Sequence, residues 1–158
     1  MIRRFLIVFA IVLLGLPLAY AQKEPMASKA SLDRKAEAKA LVEKAAAFVS
    51  EHGREKGLAE MNKPDGQFVQ GDLYVFAFDL NGAMAAQPKN PKAIGENLID
   101  KPDTKGKLFR KEIIEKAKTE GSGWVDYFYL NPQTGKEEDK TTYLKRVGDL
   151  VICCGIYR

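Results

Sequence analysis

Aromatic side chains are concentrated in one stretch, WVDYFYLNP at residues 124–132, of a chain that is only 9% aromatic. Since neighbouring strand residues point to opposite faces, Tyr127 and Tyr129 would share one face and Trp124 and Phe128 the other. Tyrosine hydroxyls on an apolar wall are typical of small-molecule pockets, which combine apolar surfaces with a few placed polar groups. The same tyrosines would also suit a core, provided that each hydroxyl finds a partner. The stretch alone leaves both alternatives open.

Two basic residues are candidates to bind an anion beside these tyrosines. Lys140 lies in the next predicted strand, and Arg110 lies in the helix expected to cover this part of the sheet. Arginine would hold a carboxylate through two parallel hydrogen bonds, whereas lysine would act as a point charge. Taken alone, each residue is more often a solvated surface charge.

Residues for enzymatic or metal chemistry are scarce. The chain has one histidine, His52, and two adjacent cysteines, Cys153 and Cys154, so no zinc constellation can be assembled. It has no G-x-S-x-G, Walker A or dinucleotide motif. The cysteines are interpreted as small apolar residues of a buried strand, and the acidic run at 137–139 as a solvated hairpin loop. We therefore expect no enzyme, cofactor or metal site.

The hydrophobic pattern predicts an α+β domain with two main helices and a five-stranded antiparallel sheet. The helices are expected over residues 31–52 and 105–120. The strands are expected over residues 72–79, 83–87, 123–130, 140–147 and 150–157. The first and last strands are apolar on both faces and should be central, which gives the order 2-1-5-4-3. The first helix would cover one face, against Trp124 and Phe128, and the irregular segment 88–120 the other, where a cavity is expected.

The N-terminus has the layout of a secretory signal peptide. Arginines at 3–4 precede an apolar run at 5–14, and Ala-Tyr-Ala at 19–21 is a small-residue cleavage site. The alternative is an uncleaved membrane anchor, although the run is short for a span of about 20 residues. The mature chain would be periplasmic, with a flexible lead-in over 22–30 and one domain over 31–158. The 25 basic and 21 acidic residues of the full chain are interspersed, so nucleic acid is not an expected partner.

Several stretches, taken in order, resemble the single Cache domains, which are extracytoplasmic PAS-like sensor modules. DLYVFAFDLNG at 72–82 resembles the first hairpin of that family, and NPKAIGENLID at 90–100 its crossover. GKLFRKEIIEKAKTEGSGWVDYFY at 106–129 resembles the covering helix and third strand. KTTYLKRVGDLVICCGIY at 140–157 resembles the last two strands, and the helix over 31–52 suits the long N-terminal helix of these domains. The resemblance covers nearly all of the mature chain.

The resemblance implies a pocket for small ligands, often short organic acids or amino acids, between the sheet and the crossover. It implies ligand contacts at Tyr127 and Tyr129 in the third strand and at Lys140 and Tyr143 in the fourth. Two positions depart from the family pattern. Gln87 stands where a histidine is frequent, and an aspartate precedes the lysine where a proline is usual, which would weaken its attraction for an anion. The ligand-binding residues expected on all these grounds are Tyr74, Gln87, Arg110, Tyr127, Tyr129, Lys140 and Tyr143.

The expected function is an extracytoplasmic, sensor-type module that binds a short organic acid or a similar small metabolite. Signalling members of the family are usually flanked by membrane helices that lead to a kinase, cyclase or chemoreceptor. The printed chain stops at Arg158 without such an output, so we expect it to act through a membrane receptor or another envelope protein. The alternative is a protein–protein interaction module of the cell envelope with a vestigial pocket.

Overall fold

The computed structural model describes residues 26–158, so the predicted signal peptide and the start of the predicted lead-in lie outside the described residues. In chain order the elements are α1 (Met26–His52), α2 (Arg54–Met61), β1 (Val69–Gln70), β2 (Leu73–Asp79), β3 (Met84–Ala86), a 3₁₀ turn (Pro91–Ala93), α3 (Phe109–Thr119), β4 (Ser122–Leu130), β5 (Glu137–Val147) and β6 (Leu150–Tyr157). Over these residues, no helix combines the length and apolar character that crossing a membrane requires.

The strands form one antiparallel sheet in the order β3-β2-β6-β5-β4, and β1 pairs with the start of β2. The predicted strand order is therefore confirmed. Strands β2 and β6 are buried along nearly their whole length, as expected for strands that are apolar on both faces. The sheet has six strands rather than five, because the two-residue β1 lies outside the five predicted strands. A strand this short carries no hydrophobic alternation that could reveal it.

Helix α1 covers one face of the sheet with a stripe of small and branched side chains. Val42 and Ala45 are fully buried, and they share a core with Val75, Ile152 and Cys154. Alanines let the helix approach the sheet closely. The helix begins at Met26, earlier than the predicted start at residue 31, and it includes part of the predicted lead-in. The added residues, MASKA, contain no glycine or proline that would stop a helix.

Helix α3 and the segment before it cover the other face. Ile113, Ile114 and Ala117 are fully buried there, in a second core that includes Val125 and Cys153. Cys153 and Cys154 thus lie in the cores on opposite faces of β6. The two cores place the sheet between α1 and the crossover, as the hydrophobic pattern predicts.

Helix α3 begins at Phe109, later than the predicted start at residue 105. Asp103 explains the delay, because its Oδ1 accepts hydrogen bonds from the backbone N–H groups of Lys105 (2.9 Å) and Lys107 (2.8 Å). Its Oδ2 accepts another from the N–H of Phe128 at 2.9 Å. The carboxylate therefore stabilises a turn at residues 103–107 and does not cap the helix. It also connects the crossover, the segment between β3 and β4, to the edge strand β4.

The acidic run at 137–139 lies in β5, so its assignment to a hairpin loop was wrong. Its residues pair with Phe128, Tyr129 and Leu130 of β4. The hairpin closes earlier, where the N–H of Asn131 donates to the carbonyl of Lys136 at 2.7 Å. Glu138 accepts a hydrogen bond from Asn131 Nδ2 at 2.8 Å, which holds the acidic residues against the turn.

The two aromatic residues assigned to the α1 side of β4 behave differently. Trp124 packs on Tyr143 in the α1-side core, with the ring centroids 5.2 Å apart, and Lys35 Nζ lies 5.2 Å from its ring centroid. Phe128 instead contacts the crossover, since Lys105 Nζ lies 3.3 Å from its ring centroid. Strand β4 is at the edge of the sheet, so the crossover can reach round it.

Trp124→Ala should lower the free energy of unfolding by about 2 kcal/mol, because it removes a half-buried aromatic contact from the α1-side core. Urea unfolding followed by circular dichroism measures the change. Leu32→Ala is the matched control, since this side chain is 64% exposed and its loss should change stability by less than about 0.5 kcal/mol. Equal, small losses for the two variants would show that Trp124 does not help to hold α1 on the sheet.

Candidate ligand-binding site

A small cavity of about 20 Å³ lies between the sheet and α3, with room for about one water molecule. Six of the seven predicted ligand-binding residues line it, and Tyr143 does not. Its other lining residues are apolar. The full lining consists of Tyr74, Phe76, Phe78, Met84, Gln87, Phe109, Arg110, Tyr127, Tyr129 and Lys140. That these residues bind a ligand stays a prediction.

Lys140 is the lining residue that carries the positive charge on the sheet side of this cavity. It lies in the middle of the sheet on β5 and is only 2% exposed. Its Nζ donates to the hydroxyls of Tyr157 (3.2 Å) and Tyr74 (3.4 Å). Four aromatic ring centroids lie within 4.5–5.7 Å of the same nitrogen, and aromatic faces attract cations. These rings belong to Tyr74, Phe76, Tyr129 and Tyr157.

The ammonium of Lys140 has no acidic partner among the described residues. No aspartate or glutamate lines the cavity, and Lys140 makes no ion pair within residues 26–158. Asp139, which raised doubt about anion binding, is exposed, as expected for a strand neighbour that points to the opposite face. Burial disfavours the charged form and lowers the pKa of Lys140 from its ordinary 10.5 to about 8.

Gly155 on β6 provides the space that the lysine stem occupies, and the sequence interpretation missed it. A Cβ at this position would overlap Lys140 Cε, and it would also crowd Thr142 Oγ1. The sequence did offer a signal, because a glycine inside an otherwise apolar strand often marks a place where another group approaches the backbone closely. Tyr157 was missed as well, although strand alternation places it on the same face as Cys153.

Arg110 is the second buried cation at the cavity. It sits in the first turn of α3 and is 5% exposed, and its Nη1 donates to the carbonyl of Lys101 at 3.2 Å. Its Nε is buried without a hydrogen-bond partner among the described residues. The guanidinium carbon lies 4.2 Å from the ring centroid of Phe109 and 5.9 Å from that of Tyr129. The side chain therefore has donor capacity left for a ligand.

Gln87 ends the β3 side of the cavity. Its backbone N–H donates to Asn62 Oδ1 at 2.9 Å, which fixes the chain there. Its side-chain Oε1 is buried and has no hydrogen-bond partner within residues 26–158. Besides Arg110 Nε, the cavity thus has a second polar atom, Gln87 Oε1, that is free to form a hydrogen bond within the described residues.

The two tyrosines of β4 differ in their roles. The hydroxyl of Tyr127 shares a 2.9 Å hydrogen bond with the hydroxyl of Thr142, and its ring stacks on Phe109 with centroids 4.0 Å apart. Its polar group is already satisfied, so Tyr127 mainly forms a wall. Tyr129 is half-buried, and its hydroxyl makes no hydrogen bond to the described residues. It is the more available of the two for a ligand.

Tyr143 lies on the opposite face of the sheet, so its assignment to the pocket was wrong. Its hydroxyl donates to Glu43 Oε1 of α1 at 3.2 Å, and Lys145 pairs with the same carboxylate. Residues three apart on a strand point to opposite faces, so Lys140 and Tyr143 cannot both face one pocket. The alternation rule could have excluded this residue.

An open cleft of about 410 Å³ adjoins the cavity on the crossover side. Five residues line both the cavity and the cleft, so a small molecule would reach Lys140 from the solvent through the cleft. These shared residues are Met84, Gln87, Phe109, Arg110 and Tyr129. Within residues 26–158, no group of three His, Cys, Asp or Glu side chains is placed to hold a metal ion.

An antiparallel sheet with a long helix on one face and a covered cavity on the other is the PAS-like α+β architecture that the sequence predicts. The model of the family described as Single Cache domain 2 matches residues 30–158, and the chain belongs to this family. Cache domains are extracytoplasmic sensor modules. The predicted resemblance is therefore confirmed.

Solved structures show the same fold. A methyl-accepting chemotaxis protein from Vibrio parahaemolyticus is 22% identical, with a TM-score of 0.69 over 82% of this chain and 92% of that one. A periplasmic sensor domain of a chemotaxis protein is 24% identical, with a TM-score of 0.67 over 85% and 99%. A Cache chemosensory domain, described for its recognition of carboxylic acids, is 20% identical, with a TM-score of 0.70 over 82% and 97%. No curated protein matches the chain.

Lys140→Met should raise the free energy of unfolding of the ligand-free protein at pH 7 by about 1–3 kcal/mol, because it removes an unpaired buried charge. Between pH 8 and pH 10.5 the unfolded chain holds the Lys140 proton more firmly than the folded chain does. The cost of the charge is therefore fully present below about pH 8 and disappears as the pH rises towards about 10.5. Urea unfolding across this range should show the advantage of the variant shrinking.

Lys111→Met is the control for this prediction, because Lys111 is an exposed lysine of α3. Its effect on the free energy of unfolding should be small and should not vary over the same pH range. A Lys140→Met variant that is less stable than the wild type at pH 7 would show that the ring and hydroxyl contacts outweigh the desolvation of the ammonium.

Gly155→Ala should lower the free energy of unfolding by about 1–3 kcal/mol, because its Cβ would overlap the stem of Lys140. The cost should be smaller when Lys140→Ala has already removed that stem. A double-mutant cycle of unfolding free energies measures the coupling between the two positions. An equal cost in both backgrounds would show that Gly155 does not position the lysine.

Proposed function

We propose that this protein is a ligand-binding, sensor-type module that holds a short organic acid in the cavity around Lys140. The observation that carries the proposal is an ammonium buried to 2% exposure without an acidic partner among the described residues. An unpaired buried charge is costly, and an anionic ligand would offset that cost. The relative described for carboxylic acid recognition has the same fold, which supports a carboxylate as the ligand.

The proposed mode of binding follows from the groups around the ammonium. One carboxylate oxygen accepts a hydrogen bond from Lys140 Nζ, and the hydroxyl of Tyr74, 3.4 Å from that nitrogen, can donate as well. The hydroxyl of Tyr157 already donates to the carbonyl of Leu130 at 2.9 Å. The surrounding rings exclude water, which strengthens the attraction between the charges. The apolar part of the acid packs on Phe76, Phe78 or Phe109, which line the same cavity.

Strand β5 gives the proposed sensor a route to α1. Lys140 projects from one face of this strand, whereas Tyr143 and Lys145 project from the other and bind Glu43 of α1. A change around Lys140 on ligand binding can therefore shift the contact between the sheet and the helix. We propose that a membrane receptor or another envelope protein recognises α1 and responds to this shift.

The second candidate function is a protein–protein interaction module of the cell envelope whose pocket no longer binds a ligand. The volume of the cavity, about 20 Å³, favours it, since this is less than a short acid occupies. The first proposal requires a side chain to move on binding. Tyr129 can do so, because it is half-buried and lies between the cavity and the open cleft.

Isothermal titration and thermal-shift assays with formate, acetate, propionate and pyruvate should reveal binding to the wild type, since a ligand of the folded state raises its stability. Lys140→Met should lose at least about tenfold in affinity, because one charge-assisted hydrogen bond is removed. The control Lys111→Met should bind like the wild type. The affinity should also fall above about pH 8, where the free Lys140 ammonium loses its proton.

Absence of binding by any acid at millimolar concentration, with a folded wild-type protein, would sink the proposal and leave the interaction module. Binding that Lys140→Met does not weaken would place the acid outside this cavity. Recovery of an envelope protein by α1-dependent capture would then support the second candidate.

A further inference from the structure

We propose that the ligand carries two anionic groups, as a short dicarboxylate does, with one group at Lys140 and the other at Arg110. This inference rests on the proposed function, since it specifies the class of acid that the same site takes. Its basis is a pair of buried cations at one cavity, neither of which forms an ion pair with the described residues.

The two cations are unusual within the described part of the chain. Nine ion pairs of lysine or arginine with a carboxylate are formed among residues 26–158, and none includes Lys140 or Arg110. Arginine keeps its proton in proteins, so Arg110 remains charged although only 5% of it is exposed. A monocarboxylate would neutralise one of the two charges and leave the other unpaired. A dicarboxylate would neutralise both.

The geometry brings both cations to one side chain. Lys140 Nζ lies 5.3 Å from the ring centroid of Tyr129, and the guanidinium carbon of Arg110 lies 5.9 Å from it. A ligand that displaces the half-buried Tyr129 ring would therefore face an ammonium and a guanidinium together. The unpartnered Nε of Arg110 supplies a donor for the second carboxylate.

The surroundings limit the length of such a ligand. The inner cavity has no acidic residue, whereas Glu96, Asp103 and Glu137 line the outer cleft. A second carboxylate that extended past Arg110 into this cleft would meet like charges, which repel it. The site therefore favours a short spacer between the two anionic groups over a long one.

The test compares succinate with its monomethyl ester, which has the same carbon spacing between its carbonyl groups but only one charge. The wild type should bind succinate at least about tenfold more tightly than the ester in isothermal titration, because the second carboxylate gains a charge-assisted contact. Malonate and glutarate, run in parallel, cover the shorter and longer spacing.

Arg110→Gln should remove the preference for succinate while leaving the affinity for the ester nearly unchanged, because only the second contact is lost. Arg110→Lys keeps the charge and should retain part of the preference. Lys140→Met should weaken both ligands. Thermal unfolding checks that each variant is folded, and the comparison on the wild type decides the question by itself if Arg110→Gln does not fold.

The failures of this inference and of the proposed function are distinguishable. If the ester or propionate binds as tightly as every dicarboxylate, the second anionic subsite is wrong and a site for monocarboxylates stands. If a dicarboxylate is preferred but Arg110→Gln keeps that preference, Arg110 is not the second contact. If no acid of either kind binds the folded wild type, the proposed function falls together with this inference.

Discussion

The unpaired ammonium of Lys140 among aromatic rings is the interaction on which the rest of the site depends. Burying it costs free energy, and two tyrosine hydroxyls and four ring faces offset only part of that cost. A charge that served stability alone would be better replaced by an apolar side chain. This cost is the physical reason for proposing that the cavity binds a group of opposite charge.

The sheet makes this arrangement possible in two ways. Strand β5 has a neighbour on each side, so its pocket-facing side chains project from a backbone whose hydrogen bonds are satisfied. Gly155 on the neighbouring β6 leaves the space through which the lysine stem passes. The opposite face of β5 is bound to α1 through Glu43, so the strand that carries the cation also contacts the long helix.

Much of this fold could be predicted from the sequence because two strands are apolar on both faces. That feature places β2 and β6 in the centre and fixes the order of the others. Features that depend on a single side chain were not predictable from periodicity. Asp103 delays α3 by accepting backbone hydrogen bonds, and the 131–136 turn extends β5 into the acidic run. In both cases local hydrogen bonds set the end of an element, and the hydrophobic pattern of the sequence does not show them.

The candidate site was partly predictable for a related reason. Residue types and the family resemblance identified Lys140 and Arg110, and strand alternation, had it been applied, would have excluded Tyr143. A glycine inside the apolar β6 indicates a close approach, but the sequence does not show that the side chain approaching Gly155 is Lys140. The same holds for the lack of an ion pair at either cation within residues 26–158, which only the packing of the crossover against the sheet reveals.

A small acid has few atoms with which to gain affinity, and ligands of this size reach at most about 1.5 kcal/mol per non-hydrogen atom. A site for such a ligand must therefore make each contact strong. A preformed, buried cation in a ring-lined cavity does this, since its desolvation cost is already included in the free energy of the folded protein. The buried, unpaired charge of Lys140 thus lowers the stability of the ligand-free protein, and the same charge would raise the affinity for an anion. In the proposed complex with a dicarboxylate, the second buried cation at Arg110 would apply the same principle to the other end of the ligand.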